Sequence, residues 1–249
     1  MRLPPVIFRE IAFHWAQLRP GIVELFTDDG SLPPDRISQR AEQWLVGWLV
    51  NDAGARQLLC EVLQRSPTAF FRTAVQKPFY TANEGDIDLL VCEPGSPHQA
   101  VAIECKRVKV YVEDEGNDSI NRLDAVGEGV KQAKKLYGKF GFFQTYLAVI
   151  SAVDSANRKR LNIPSRGITS ESVPNRDTST TTFRSILQFP RREELPSDIG
   201  IILIELVQPS GRAFQEQRIV RMCVHHKAAP RSQREIETHK MLDLMKSNV

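Results

Sequence analysis

Two apolar runs that carry charge in their interiors constrain this chain more than any other feature. DIDLLVCE at 86–93 and QAVAIECKRVKV at 99–110 are separated only by PGSPH. A connector this short, with one Gly and two Pro, predicts neighbouring antiparallel strands. Strands this apolar belong in an interior, where an unpaired carboxylate is costly. Asp88, Glu104 and Lys106 nevertheless sit inside them. The period of two puts Glu104 and Lys106 on one face and Ile103 and Cys105 on the other. Asp86 shares the parity of Asp88 and is its rival. A surface hairpin with weak solvated ion pairs would also hold such charges, but IDLLV and AVAIECK are too apolar for an open surface.

The surrounding pattern is mixed α and β. Residues 36–50 place Ile37, Ala41, Trp44, Leu45, Trp48 and Leu49 at helical spacing, with Pro33, Pro34 and Asp35 as start signals. Helices are also expected at 4–18 and at 54–65, the latter with Leu58, Leu59, Val62 and Leu63 on one side. The run at 73–80 reads as a strand before the charged pair. After an acidic loop, VEDEGNDS, comes a helix at 121–138 whose Leu123, Val126, Val130, Ala133 and Tyr137 face the sheet. The buried strand at 145–153 then closes a parallel pair. Residues 154–182 are rich in Ser and Thr and read as a long loop. Strands follow at 200–209 and 217–226, and a helix at 231–246.

Composition excludes several classes. The chain has 249 residues, 41% hydrophobic and 25% charged, as ordinary globular proteins do. No apolar run approaches the ~18 residues of a membrane span. The N-terminal segment is interrupted by Arg9, Glu10 and His14 and makes a poor signal peptide, so a cytoplasmic location is expected. Cys60, Cys92, Cys105 and Cys223 are widely spaced, which argues against disulfides and thiolate zinc sites. The net charge of +3 conceals an asymmetry: residues 1–153 carry −2 and residues 154–249 carry +5. The basic second part permits contact with a polyanion.

Two carboxylates and an ammonium at the end of a hairpin make an oxygen-rich site suited to a hard divalent cation, Mg²⁺ first and Mn²⁺ as a substitute. Such a site could direct water at a phosphodiester, with Lys106 orienting or deprotonating that water. The order of helix, three strands carrying Asp and then Glu-x-Lys, helix and strand resembles the PD-(D/E)XK nuclease superfamily, of restriction-endonuclease-like fold. The residues that carry the resemblance are Gly85, Ile87 and Asp88, then Val101, Ala102 and Ile103 leading into Glu104, Cys105 and Lys106. Ile87 stands where the family's nominal proline would be, a frequent departure among its members.

The resemblance spans about residues 36–153 and implies an αβββαβ core, a mixed central sheet flanked by helices. Added to that core are an N-terminal helical extension at 1–35, an insertion at 154–198 and C-terminal strands and helix at 199–249, all in one nuclease domain. It implies that Asp88 and Glu104 are metal ligands, that Cys105 lends its backbone carbonyl, and that Lys106 is catalytic. Glu42 is the candidate for a further ligand from the first core helix, and Gln132 for a contact to substrate or metal-bound water. Arg107, Lys109, Lys131 and Lys135 could track a phosphate backbone or simply face solvent.

The activity implied is metal-dependent hydrolysis of phosphodiester bonds, with DNA as the favoured substrate and endonuclease action as the expected mode. One alternative is a catalytically silent nucleic-acid-binding or complex-forming subunit on the same fold. Another is a nuclease effector that needs a partner protein, in repair, restriction or anti-phage defence. A homodimer is a further expectation, since many nucleases of this fold cut two strands as dimers, and no membrane partner is expected.

Overall fold

The computed structural model describes residues 40–76, 86–94, 96–112, 118–121, 123–153, 167–169, 190–191, 193–207 and 219–235. Its elements are α1 (Glu42–Asn51), α2 (Ala53–Leu63), β1 (Phe70–Gln76), β2 (Asp86–Glu93), β3 (Ser96–Val112), β4 (Asp118–Asn121), α3 (Leu123–Lys139), β5 (Gln144–Val153), β6 (Gly167–Thr169), β7 (Gly200–Val207) and β8 (Ile219–His226). The expected helix at 4–18, the start signals at 33–35, and most of the 154–182 loop and of the helix at 231–246 lie outside the described residues.

One mixed sheet organises the molecule, in the order β1-β2-β3-β5-β7-β8-β6, with β4 paired to β3 off that path. The short connectors give the antiparallel series β1-β2-β3, as their Gly and Pro content predicts. Helix α3 then carries the chain back so that β5 lies parallel to β3, and β7 continues the parallel run beside β5. Strand β8 returns antiparallel to β7. Two short strands escape the sequence pattern: β4 inside the acidic loop and β6 inside the Ser/Thr-rich insertion. Both are specified by pairing, β4 with the end of β3 and β6 with β8, rather than by any apolar period of their own.

Helices cover both faces. Asp52 separates α1 from α2: its backbone N–H donates to Trp48, closing α1, while its side chain accepts from the Ala55 N–H and caps α2. Leu45, Val46, Leu49 and Val50 of α1 and Leu58, Leu59 and Leu63 of α2 pack with Leu89, Val91, Val101, Ile103 and Cys105 on one side of the sheet. Trp44 and Trp48, which share the helical spacing of that stripe, are partly buried and pack against the cluster. On the other face, Val126, Val130 and Ala133 of α3 pack with Val108, Leu147, Val149 and Leu203. Leu136 joins Leu90, Ala102, Phe140 and Phe142 there. Each fully buried Leu or Ile side chain contributes about 1.5–3 kcal/mol by transfer from water. Cys60, Cys92 and Cys105 are free and buried, as expected of reduced thiols. Among the described residues, no helix is long and apolar enough to cross a membrane.

Strand β1 contains a strained residue. Ala74 has φ 48° and lies between Thr73, paired with Leu89, and Val75, paired with Ile87, and so opposite Asp88. A Cβ in the left-handed region costs roughly 1–2 kcal/mol, and glycine avoids that cost. Ala74→Gly should therefore raise the unfolding free energy by about 1 kcal/mol, after the extra chain entropy of glycine is deducted. Urea titration of the two proteins measures the shift, and a loss of stability would contradict the assignment of strain to this position.

Candidate functional site

The site forms where β3 loses its neighbour. The antiparallel ladder with β2 pairs Leu90 with Ala102 and Leu89 with Ile103, and among the described residues no further β2 partner follows along β3. Alternate N–H groups of β3 still point to that side, and a buried N–H without an acceptor costs about 1–3 kcal/mol. Two carboxylates take over from the ladder. Asp88 Oδ2 accepts from the Cys105 N–H at 2.7 Å, and Glu42 Oε2 accepts from the Arg107 N–H at 2.6 Å. Glu42 lies in the first turn of α1, where the helix dipole favours a negative charge.

On the α3 face of β3, Glu104 and Lys106 stand two residues apart, as the strand period requires. The Lys106 ammonium donates to Glu104 Oε1 at 2.6 Å and to the Cys105 carbonyl at 2.8 Å. It also lies 3.6 Å from Glu42 Oε1 and 3.7 Å from Asp88 Oδ2. Glu104 is only 2% exposed. The site is thus built from four elements: α1, β2, β3 and the helix packed above it.

Among the described residues one ammonium stands amid three carboxylates, in a place where burial disfavours charge. Burial pushes Glu104 up to about 8, helped by the charge of Asp88 and only partly opposed by Lys106. Burial likewise raises Glu42, against the pull of Lys106 and of the Arg107 N–H. For Lys106, burial favours the neutral amine, but Glu104, Asp88 and Glu42 together outweigh it and hold the group above its ordinary value. Lys106 therefore stays charged. The Cys105 thiol, buried on the opposite side of the strand, is pushed well up by burial and then by the three carboxylates, which leaves it inert as a nucleophile.

Helix α3 fixes the lysine stem. A Cβ built on Gly129 would collide with Lys106 Cγ and lie 2.9 Å from Leu147 Cδ1. Only glycine lets the helix come this close to β3. The helical stripe read from sequence passes over Gly129, yet a glycine inside a helix costs about 0.5–1 kcal/mol and signals a packing reason. The same helix also carries Gly127 and Gly138, and Gly138 has open space around it, so the sequence signal alone does not single out Gly129.

Of the residues expected at the site, the structure brings together Glu42, Asp88, Glu104, Lys106 and the Cys105 carbonyl. Gln132, Lys131 and Lys135 are exposed on α3, and Lys131 is paired with Glu128 at 2.9 Å. Arg107 departs from its expected role as a surface phosphate contact. It is 2% exposed, because its parity places it with Ile103 and Cys105 on the face covered by α1 and α2. The side chains of Lys109 and Asp86, and residues 113–117 and 158–160, lie outside the described residues. Among the described residues, no three Asp, Glu, His or Cys side chains are disposed to hold a metal ion as they stand. The carboxylates meet around the ammonium.

Two outcomes follow from this packing and charge. The Gly129→Ala methyl would overfill the space above Lys106 and Leu147. Overpacking costs about 1–3 kcal/mol, against which alanine returns up to about 1 kcal/mol of helix propensity. A net loss of about 1–2 kcal/mol in urea unfolding is expected, and an unchanged or higher midpoint would contradict the close approach. The second concerns pH in EDTA. The folded-state value of Glu104, about 8, lies above its ordinary 4.5, so between them the folded chain holds a proton that the unfolded chain has released. The resulting stability is complete below about pH 4.5 and is lost as pH rises to about 8. Glu104→Gln should flatten that part of the profile, which denaturant titrations across the range would measure.

Comparison with known proteins adds little. No family model matches the chain, and no curated protein matches it. A solved structure, that of Pyrococcus furiosus SfsA in complex with Ca²⁺, is similar at 12% identity with a TM-score of 0.32, covering 76% of this chain. The chain spans about 64% of the length of that protein, and at this TM-score neither fold nor function transfers from it.

Proposed function

We propose that the chain is a divalent-metal-dependent nuclease that hydrolyses phosphodiester bonds, with DNA as the favoured substrate. The observation that carries this reading is the convergence of Glu42, Asp88, Glu104 and the Cys105 carbonyl within 3.7 Å of the Lys106 ammonium. The donor set fits the group it would hold. All the donors are oxygens, the preference of Mg²⁺ and Mn²⁺. With all three acids ionised, three carboxylates and one ammonium leave two formal negative charges, which a divalent cation would offset. The likeness of GDIDLLV and AVAIECK to the PD-(D/E)XK pattern supports the same reading.

In this reading Asp88, Glu104 and the Cys105 carbonyl hold the ion and Glu42 stands beside it. When bound, the ion supplies Lewis acidity toward a phosphodiester oxygen and toward water. The chain's own residues do the rest. Asp88 and Glu42 keep their orientation because each also accepts a β3 N–H. Lys106, held charged by the carboxylates, contributes positive potential to the pentacovalent transition state and orients the attacking water, rather than accepting its proton. Exposed Lys131, Lys135 and Gln132 of α3 offer contacts to the nucleic-acid backbone.

The test is incubation of wild type, Glu104→Gln and Lys106→Met with linear, circular and single-stranded DNA and with RNA, in Mg²⁺, Mn²⁺ or EDTA. Wild type should cleave in metal and not in EDTA, and each variant should lose at least ~10²-fold in rate, the scale of losing one electrostatic contact to the transition state. A Glu104→Gln protein that cuts at the wild-type rate would sink the proposal. Binding of nucleic acid without any metal-dependent cleavage would favour a silent binding subunit instead.

A further inference from the structure

Lys106 occupies the position toward which every carboxylate of the site points. Its ammonium bonds Glu104 Oε1 at 2.6 Å and the Cys105 carbonyl at 2.8 Å, and Glu42 Oε1 and Asp88 Oδ2 lie 3.6 and 3.7 Å away. These are the same four oxygen-bearing groups assigned above to the cation. A Mg²⁺ or Mn²⁺ ion needs oxygens at about 2.0–2.2 Å, and an ion drawn to these oxygens while the ammonium keeps its place would stand close against a like charge, in a site that is largely closed to water.

We infer that Lys106 is the resident counter-ion of the acidic cluster and that a divalent cation enters by displacing its ammonium. This rests on the reading of the cluster as a divalent-cation site. The movement has a defined extent. Gly129 lies close over Cγ, so the lower half of the side chain stays in place and only the part beyond it swings. A lysine pinned at Cγ and free at its tip remains beside the ion after yielding its place, where its charge acts on the substrate. The same residue thereby holds the carboxylates together in the metal-free protein and serves the reaction in the loaded one.

The consequence runs against the expectation for a residue at a functional site, because removing it should strengthen cation binding. Lys106→Met keeps the length and packing of the stem and removes the charge. In calorimetric titration of the whole chain with Mn²⁺, the variant should bind at least tenfold more tightly than wild type. In EDTA it should melt at a lower temperature than wild type, and Mn²⁺ should raise its melting temperature by more. Adding Glu42→Gln to Lys106→Met should recover part of the EDTA loss, because it relieves repulsion; a mere packing defect at position 106 would not respond. Should Lys106→Met fold poorly in EDTA, the double variant carries the affinity comparison against Glu42→Gln alone.

Equal or weaker Mn²⁺ affinity without the lysine overturns the inference while leaving the cation site standing. Failure of the double variant to regain stability overturns it as well. If neither wild type nor Lys106→Met binds Mn²⁺, the cation reading itself falls, and the inference with it.

Discussion

A strand that remains buried after its partner has ended must find acceptors for its N–H groups, and that requirement shapes the centre of this molecule. Beyond Ile103, β3 keeps its parallel neighbour β5 as far as Val108, while its pairing with β2 has ended among the described residues. Side chains from two different elements supply what the backbone does not: Asp88 from β2 for Cys105 and Glu42 from α1 for Arg107. The cluster of acids is thus a by-product of ladder termination as much as of electrostatics. Glu42 gives Oε2 to the backbone and turns Oε1 toward the Lys106 ammonium, whereas Asp88 Oδ2 serves both. That double engagement fixes the carboxylates in a way that solvated ion pairs would not, since exposed pairs contribute only about 0–1 kcal/mol and seldom hold one geometry.

The second organising fact is the closeness of α3. Gly129 brings the helix into contact with the lysine stem, so the position of the ammonium depends on how α3 lies on β3 and β5. Glu42 and Asp88 depend instead on α1 and β2. Elements on opposite faces of the sheet must therefore keep their relative positions for the site to exist, and the large apolar clusters on both faces provide that rigidity. Placing polar groups on rigid, packed elements is the condition for precise geometry at a reacting centre.

Much of this could be read from the chain, for identifiable reasons. Strand parity alone put Glu104 and Lys106 on one face, and the tight connector put Asp88 beside them. Glu42 was reachable only through likeness to a family, because nothing local distinguishes a carboxylate in a helix's first turn from an ordinary N-terminal acid. Arg107 was misplaced by weighing its charge above its parity, which it shares with the buried Cys105. Trp44 and Trp48 follow the spacing of a buried stripe, but the helix turns Leu45 and Leu49 inward and leaves the indoles partly buried against the cluster. Short β4 and β6 are set by their partners and carry no signal of their own.

Charge inside an apolar strand is a strong but incomplete guide, and β7 shows why. GIILIELV contains Glu205, fully buried, yet this carboxylate faces Arg221 directly across the β7–β8 register and bonds it at 2.8 Å. There a guanidinium stands directly against the carboxylate. At Glu104, among the described residues, three carboxylates surround one ammonium, and burial first, then the charge of Asp88, pushes Glu104 up to about 8. An arrangement that gathers like charges in a desolvated place lowers stability relative to an apolar replacement of similar volume. Imbalance of charge, more than burial itself, therefore distinguishes the acidic cluster from the Glu205–Arg221 pair among the described residues.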